Sequence, residues 1–193
     1  AGGTLYVTSM DHKLYLLDAA TGAKLNEFKA SGAIAGSPTL AGDMVYFGDF
    51  DRNFYALDTD LKVVWQFKGN NWFWATPLVR NGVVFVGSLD GNLYALDARD
   101  GHVVWTFNAG GAVHSTPVIA GDMVVVGSQN GHMYALNPDT GALVQDFPLG
   151  APVLAPLAAS GNVVYAHAQN GTHYLYAIEV TTGRRIWQYR TDQ

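Results

Sequence analysis

Cysteine, an excess of positive charge and long apolar runs are all missing from this sequence of 193 residues. Without cysteine the chain can form no disulfide, no cysteine-ligated zinc site and no thiol nucleophile. Its formal net charge of −5 gives no basic surface of the kind that nucleic acids or anionic lipids require. No run reaches the roughly 18 apolar residues that predict a membrane-spanning helix. The remaining candidates for partners are proteins and small molecules.

What the sequence does contain is a repeat. A tyrosine followed by two apolar residues and then Asp, Asn or Glu recurs at intervals of 40, 39, 40 and 42 residues. These tyrosines are Tyr15, Tyr55, Tyr94, Tyr134 and Tyr176. A proline recurs with similar spacing, at Pro38, Pro77, Pro117 and Pro156. A period of about 40 residues with several short strands in each repeat is typical of a β-propeller, whose blades bury their faces against one another.

Residues 83–107 show how one repeat is built. Two β-type apolar runs flank the dipeptide Asp90-Gly91, and a second turn leads to a third run that contains Trp105 and Phe107. Asp-Gly between apolar runs is a strong hairpin signal, because glycine accepts the positive φ that such turns require. The stretch is therefore predicted to be an antiparallel meander, and the recurring proline marks a further strand that precedes it.

The first repeat is shorter than the others. It begins at Ala1-Gly2-Gly3, which matches the turn after the proline-marked strand in later repeats, such as Ala41-Gly42-Asp43. The sequence thus predicts an all-β, single-domain β-propeller over residues 1–193. It has five four-stranded blades, the first of which lacks its innermost strand. Two interpretations remain open: the chain is part of a larger propeller, or its ring closes irregularly.

The second half of each repeat carries the pattern Asp, then Thr-Gly, then Trp, in variants. Asp or Asn at the start of a turn accepts backbone N–H bonds, and the outer-strand Trp is expected to pack on the next blade. Trp65, Trp105 and Trp187 occupy the last position in three repeats, whereas Asn26 and Gln145 replace them in the other two. Docking between blades should therefore be weaker where Asn26 and Gln145 stand.

This pattern resembles the tryptophan-docking motif of PQQ-type repeats, as in quinoprotein dehydrogenases and the outer-membrane assembly lipoprotein BamB. The resemblance covers essentially the whole chain. It implies a BamB-like, non-catalytic scaffold for protein–protein interaction in the bacterial periplasm or cell envelope. The alternative that it implies is a ligand-sensing propeller module of a larger receptor or kinase.

A quinoprotein dehydrogenase is the third class, and the sequence disfavours it. Those enzymes place a disulfide of adjacent cysteines against the cofactor, and this chain has no cysteine. Their calcium ligands match no segment here. We therefore expect no enzyme activity and no cofactor, since PQQ-like repeats alone do not imply that PQQ binds.

The loops that lead into the proline-marked strands vary most between repeats, and function on a rigid scaffold usually resides in such loops. They share a face with the turns between second and third strands. The predicted ligand- or partner-binding residues at this mouth of the ring are Asn71, Trp72, Phe73, Trp74 and His114. Aromatic anchors dominate binding energy at interfaces. The other interpretation of the three consecutive aromatics is a plug that fills the channel between blades.

Neither the histidines nor the acidic turns of the sequence indicate a ligand or metal site. His167 stands where other repeats have Gly48, Gly87 and Gly127, and a lone strand histidine is more often a core residue than a ligand. The six histidines show no metal-ligand spacing, and no turn has the acidic count of a calcium loop. We therefore predict neither a metal site nor catalytic residues.

Overall fold

Five antiparallel meanders follow one another along the chain, one for each sequence repeat. The computed structural model describes residues 2–170 and 172–191, and side chains at 170, 172 and 173 are left aside. Within that part of the chain the first sheet has three strands and each of the other four has four. The predicted five-bladed propeller with an incomplete first blade is confirmed. The described residues form no helix that could cross a membrane.

The strands run through each blade in chain order, from the innermost to the outermost. Blade 1 consists of β1 (Thr4–Thr8), β2 (Lys13–Asp18) and β3 (Lys24–Lys29). Blade 2 consists of β4 (Thr39–Ala41), β5 (Met44–Gly48), β6 (Asn53–Asp58) and β7 (Val63–Lys68). Blade 3 consists of β8 (Leu78–Arg80), β9 (Val83–Gly87), β10 (Asn92–Asp97) and β11 (Val103–Asn108). Blade 4 consists of β12 (Val118–Ala120), β13 (Met123–Gly127), β14 (His132–Leu136) and β15 (Leu143–Pro148). Blade 5 consists of β16 (Ala158–Ser160), β17 (Val163–Asn170), β18 (Thr172–Glu179) and β19 (Arg184–Arg190).

Strand position in the blade explains the apolar pattern of the sequence. The middle strands β9 and β10 are almost wholly buried because a neighbouring blade covers each of their faces. The outer strand β11 exposes Val103 and Val104 but buries Trp105. A register shift recurs where the two outermost strands pair, for example between Ala95 and Leu96. Such a bulge bends and twists the outer strand.

The core is divided among the seams between blades. Four apolar clusters are present in the described chain, and each joins one blade to the next. The cluster between blades 2 and 3, for instance, brings Phe54 and Trp65 together with Val84 and Leu96. Each blade therefore depends on its neighbour for burial, as a repeat architecture requires.

The predicted docking of tryptophan on the following blade is present at two seams. The Nε1–H group of Trp65 donates to the carbonyl of Ala98 at 3.0 Å, and its ring lies over Gly101. A Cβ on Gly101 would lie 2.5 Å from Trp65, so only glycine allows this approach. Trp105 repeats the arrangement in the next seam, as it donates to Pro138 at 2.9 Å and covers Gly141.

The five blades form an open arc. No apolar cluster of the described residues joins blade 5 to blade 1. Trp187 is 44% exposed, and nothing lies within 4 Å of a Cβ placed on Gly22, the matching glycine of blade 1. The outward faces of the two end blades carry exposed apolar residues, which are Leu5, Val7, Tyr165 and Leu175. The described blades do not close a ring on themselves.

Candidate functional site

The loop at 69–76 is held against the turn that follows β9. Leu89 donates its N–H group to the carbonyl of Trp72 at 2.9 Å, and the Asn71 side-chain amide donates to the carbonyl of Leu89 at 3.4 Å. The Asn71 Oδ1 atom accepts the N–H group of Trp72 at 2.8 Å. The variable loops and the turns between second and third strands thus share one face, as the sequence predicted. Both ends of the Asn71 amide hold the loop in place.

Phe73, one of the predicted contact residues, lies in the core rather than at the surface, so its side chain is not exposed to a partner. Its side chain is fully buried and packs edge-on against Phe54 at 5.5 Å between ring centroids. Gly48 makes room for it, since a Cβ there would lie 2.1 Å from the Cβ of Phe73. The equivalent residues of the other loops, Ile34, Val113 and Val153, are also buried. Every loop therefore inserts one apolar anchor, and Phe73 is the anchor of this one.

Trp72 and Trp74 flank that anchor and point the other way. Each is 43% exposed. Both indoles stack on the ring of Phe50, with centroid distances of 4.6 Å for Trp72 and 5.1 Å for Trp74. The planes lie within 21° of parallel, which is the offset-stacked arrangement that aromatic pairs favour. The two indoles are accessible and also held in fixed positions.

Phe50 is the site residue that sequence reasoning missed. It lies in the turn after β5, at the position that Met10, Leu89 and Gln129 hold in other repeats. A large aromatic in a turn was a usable signal. Its contact with two tryptophans from the following loop depends on how neighbouring blades twist against each other, which the sequence pattern does not report.

His114 extends the aromatic group toward the centre of the arc. Its ring meets Trp74 edge-on at 6.1 Å between centroids. Burial lowers the pKa of His114, and a hydrogen bond with the Gln129 side chain acts in the opposite direction. The neutral imidazole is therefore favoured near pH 7, where it can both donate and accept a hydrogen bond. We call Phe50, Trp72, Trp74 and His114 the aromatic mouth.

A small cavity opens beside the aromatic mouth. Its volume is about 180 Å³, and its walls come from the residues just before the innermost strand of blades 2 to 5. They include Gly36, Trp74, His114, Thr116, Leu154 and Pro156. Trp74 and His114 line this space without filling it.

A group of carboxylates and one imidazole at another place has a structural explanation. Asp97, Asp100 and His102 bring possible ligand atoms within 4.8 Å of one another in the turn after β10. Arg99 donates two hydrogen bonds to Asp97, at 3.1 and 2.9 Å, and holds the pKa of that carboxyl at about 2. His102 is hydrogen-bonded to Asp100 at 2.7 Å. These contacts stabilise the turn that contains Gly101, on which Trp65 packs.

His167 occupies the position where blades 2 to 4 require glycine. Gly48, Gly87 and Gly127 each face the apolar anchor of the loop that leads into the following blade. His167 lies in the last of the described blades, so the structure describes no loop of a following blade against it.

The fold and its motif define the class of protein: this is a β-propeller of PQQ-like, tryptophan-docked repeats. The family model described as outer membrane protein assembly factor BamB matches residues 1–71, 62–144 and 110–193. These matches together cover the chain, which therefore belongs to that family.

Structural comparison agrees with this assignment. The crystal structure of BamB from Moraxella catarrhalis matches 97% of this chain with a TM-score of 0.84 and 20% sequence identity. At this identity the likeness shows the fold alone. The chain spans 62% of the length of that BamB structure. No curated protein sequence matches the chain at a significant level.

Proposed function

We propose that this propeller is a non-catalytic scaffold that binds a protein partner at the aromatic mouth, in an assembly process at the bacterial cell envelope. The family description names outer membrane protein assembly, which supports both the envelope location and a protein partner. The side chains of the mouth are aromatic rings and one imidazole, a set suited to recognition. The proposal requires neither PQQ nor a metal.

One observation carries the proposal: Trp72 and Trp74 are exposed and yet already fixed by stacking on Phe50. A contiguous group of exposed aromatic side chains is typical of an interaction site. Tryptophan is also among the residues that contribute most to binding energy at interfaces. Because the indoles are held before binding, little side-chain entropy is lost when a partner docks.

Ligand sensing is the second candidate, and the cavity beside Trp74 and His114 is the observation that favours it. A polar imidazole beside an indole could orient a small aromatic or carbonyl-bearing ligand. The cavity of about 180 Å³ is smaller than the roughly 300 Å³ at which pockets for drug-sized ligands begin. It suits a single side chain of a protein better than a ligand as large as PQQ.

The test begins with affinity capture of partners from the envelope of the native host and measurement of the affinity of the purified partner for this chain. We expect Trp72→Ala combined with Trp74→Ala to weaken binding by about 100-fold or more, as loss of two interface anchors would. Trp187→Ala is the matched control, since this tryptophan is 44% exposed but lies on the outer strand of blade 5. Equal affinities for the wild type and the double variant would contradict the proposal.

A further inference from the structure

The tryptophan-docking position is filled differently at different seams. Between blades 2 and 3 and between blades 3 and 4, a large ring lies on a bare glycine. The pairs are Trp65 with Gly101 and Trp105 with Gly141. One large residue and one minimal residue together fill the space at each of these seams.

At the seam between blades 1 and 2 the sizes are reversed. The outer strand of blade 1 offers Asn26, whose side-chain amide donates to the carbonyl of Asp60 at 3.0 Å. The turn of blade 2 has Leu61 where other turns have glycine, and Leu61 keeps the positive φ of 67° that glycine normally adopts. Leu61 is only 6% exposed and belongs to the core shared with blade 1. Its side chain compensates for the missing ring.

At the seam between blades 4 and 5 neither residue is large. Gln145 stands in the tryptophan position, and its Oε1 atom approaches a Cβ placed on Gly183 to 3.6 Å. Gly183 also lines a cavity of about 230 Å³ between the same two blades. Its buried walls are Phe147, Leu149 and Ile178, and Asp146, Pro148 and Arg185 form its exposed rim.

We propose that this seam cavity is a second binding site, which takes the side chain of a tryptophan from a protein partner. At two other seams of this chain a tryptophan ring lies against the glycine that corresponds to Gly183, and Ile178 stands where Leu136 packs in the cluster of Trp105. The volume of about 230 Å³ is below the roughly 300 Å³ of typical small-molecule pockets, so it suits one side chain. This site lies on the outer strands, away from the aromatic mouth, and goes beyond the function proposed there.

The charged residues at the rim of the cavity indicate which residue should stand beside the tryptophan in the partner's sequence. Asp146 is already hydrogen-bonded to His132 at 2.7 Å. The guanidinium of Arg185 donates to the neutral amide oxygen of Gln188, and it forms no ion pair with a carboxylate in the described part of the chain. The guanidinium also lies over the ring of Tyr176, 5.9 Å from its centroid. Arg185 is thus the cationic group of the rim that a partner's carboxylate can reach, because Asp146 of the same rim is already held by His132. The partner segment is therefore one in which an acidic residue stands next to the tryptophan.

The probe for this site is the blocked dipeptide N-acetyl-Trp-Asp-amide, titrated into the whole chain and followed by amide chemical shifts. We expect saturable shifts at Ile178, Gly183 and Arg185. Gln145→Trp should fill the cavity and reduce affinity by about tenfold or more, whereas Gln145→Asn should keep it. Arg185→Gln should weaken binding of the Trp-Asp probe but leave N-acetyl-Trp-amide unaffected. If Gln145→Trp fails to fold, the Arg185→Gln variant provides the test.

Any of four results would overturn the inference. The first is an absence of saturable shifts at the seam. The second is equal affinity for the wild type and a folded Gln145→Trp variant. The third is equal binding of N-acetyl-Ala-Asp-amide, because that outcome would assign the interaction to Arg185 alone. Shifts confined to Trp72 and Trp74 would place the probe at the aromatic mouth and would equally contradict a seam site.

Discussion

Within one loop, three consecutive aromatic residues have two different roles. Phe73 points into the core below Gly48, whereas Trp72 and Trp74 point outward onto Phe50. Alternation along an extended segment explains the difference, because successive side chains leave the backbone on opposite sides. Stability and recognition are therefore assigned to neighbouring positions and can be separated by substitution.

Phe73→Ala should destabilise the domain by about 3–5 kcal/mol, the usual loss for a large buried aromatic. Trp72→Ala is the matched control and should cost only about 0.5–1.5 kcal/mol, since it removes one partly exposed stacking contact. Denaturant-unfolding midpoints of the two variants measure the difference. Equal losses would show that the assignment of inward and outward side chains is wrong.

Tyr94 offers a test by pH. Burial, together with the hydrogen bond that its hydroxyl donates to Asp90 at 2.7 Å, raises the pKa of Tyr94 to about 12. An unfolded tyrosine loses its proton at a pH of about 10. The folded state therefore keeps a proton that the unfolded state has lost, and stability should fall as the pH rises from about 10 toward about 12. Unfolding midpoints should decline less steeply in Tyr94→Phe than in the wild type, and identical slopes would contradict this account.

At the scale of the strand and turn, the docking motif connects two blades through a pair of residues, one from each blade. Trp105 supplies the ring and Gly141 supplies the space beneath it. Trp187 carries the same sequence signature, but the described residues include no blade beyond its own, and its ring lies 5.9 Å from that of Tyr165 in the same blade. Tryptophan at the same position of the repeat therefore contributes different amounts to stability in different blades.

Trp105→Ala should cost about 3–5 kcal/mol, whereas Trp187→Ala should cost about 1 kcal/mol or less. The physical reason is that Trp105 joins two described blades, whereas Trp187 lies on the outer strand of the last one. Thermal unfolding of both variants beside the wild type provides the measurement. A Trp105→Ala protein that melts at the wild-type temperature would refute the docking role.

The sequence period was sufficient to predict the fold, because each repeat displays the same strand and turn signals. The motif also located the docking contacts of Trp65 and Trp105. The burial of Phe73 was not predicted, although the apolar residues Ile34, Val113 and Val153 at the same loop position would have indicated it. Phe50 and Leu61 were missed for another reason, since their contacts cross from one blade to the next and depend on the twist between sheets.

At the scale of the whole molecule, the arc has two unlike faces and two uncovered ends. The face with the short first turns and the Thr-Gly turns is nearly uniform between blades, as the fold demands. The opposite face concentrates what differs between blades, with Trp72, Trp74 and His114 together. The exposed apolar faces of blades 1 and 5 are a separate feature, because they follow from the arc rather than from any one loop.

The central claim is that a protein partner docks on the aromatic mouth, and fluorine NMR of the chain labelled with 5-fluorotryptophan tests it most directly. The five tryptophans report on distinct places: two at the mouth, two in the seams and one on the end blade. Single Trp→Phe variants assign the resonances. On addition of the purified partner, the resonances of Trp72 and Trp74 should shift or broaden, while those of Trp65 and Trp105 stay in place. A response confined to Trp187, with Trp72 and Trp74 unchanged, would contradict the account and place the partner on the open end of the arc.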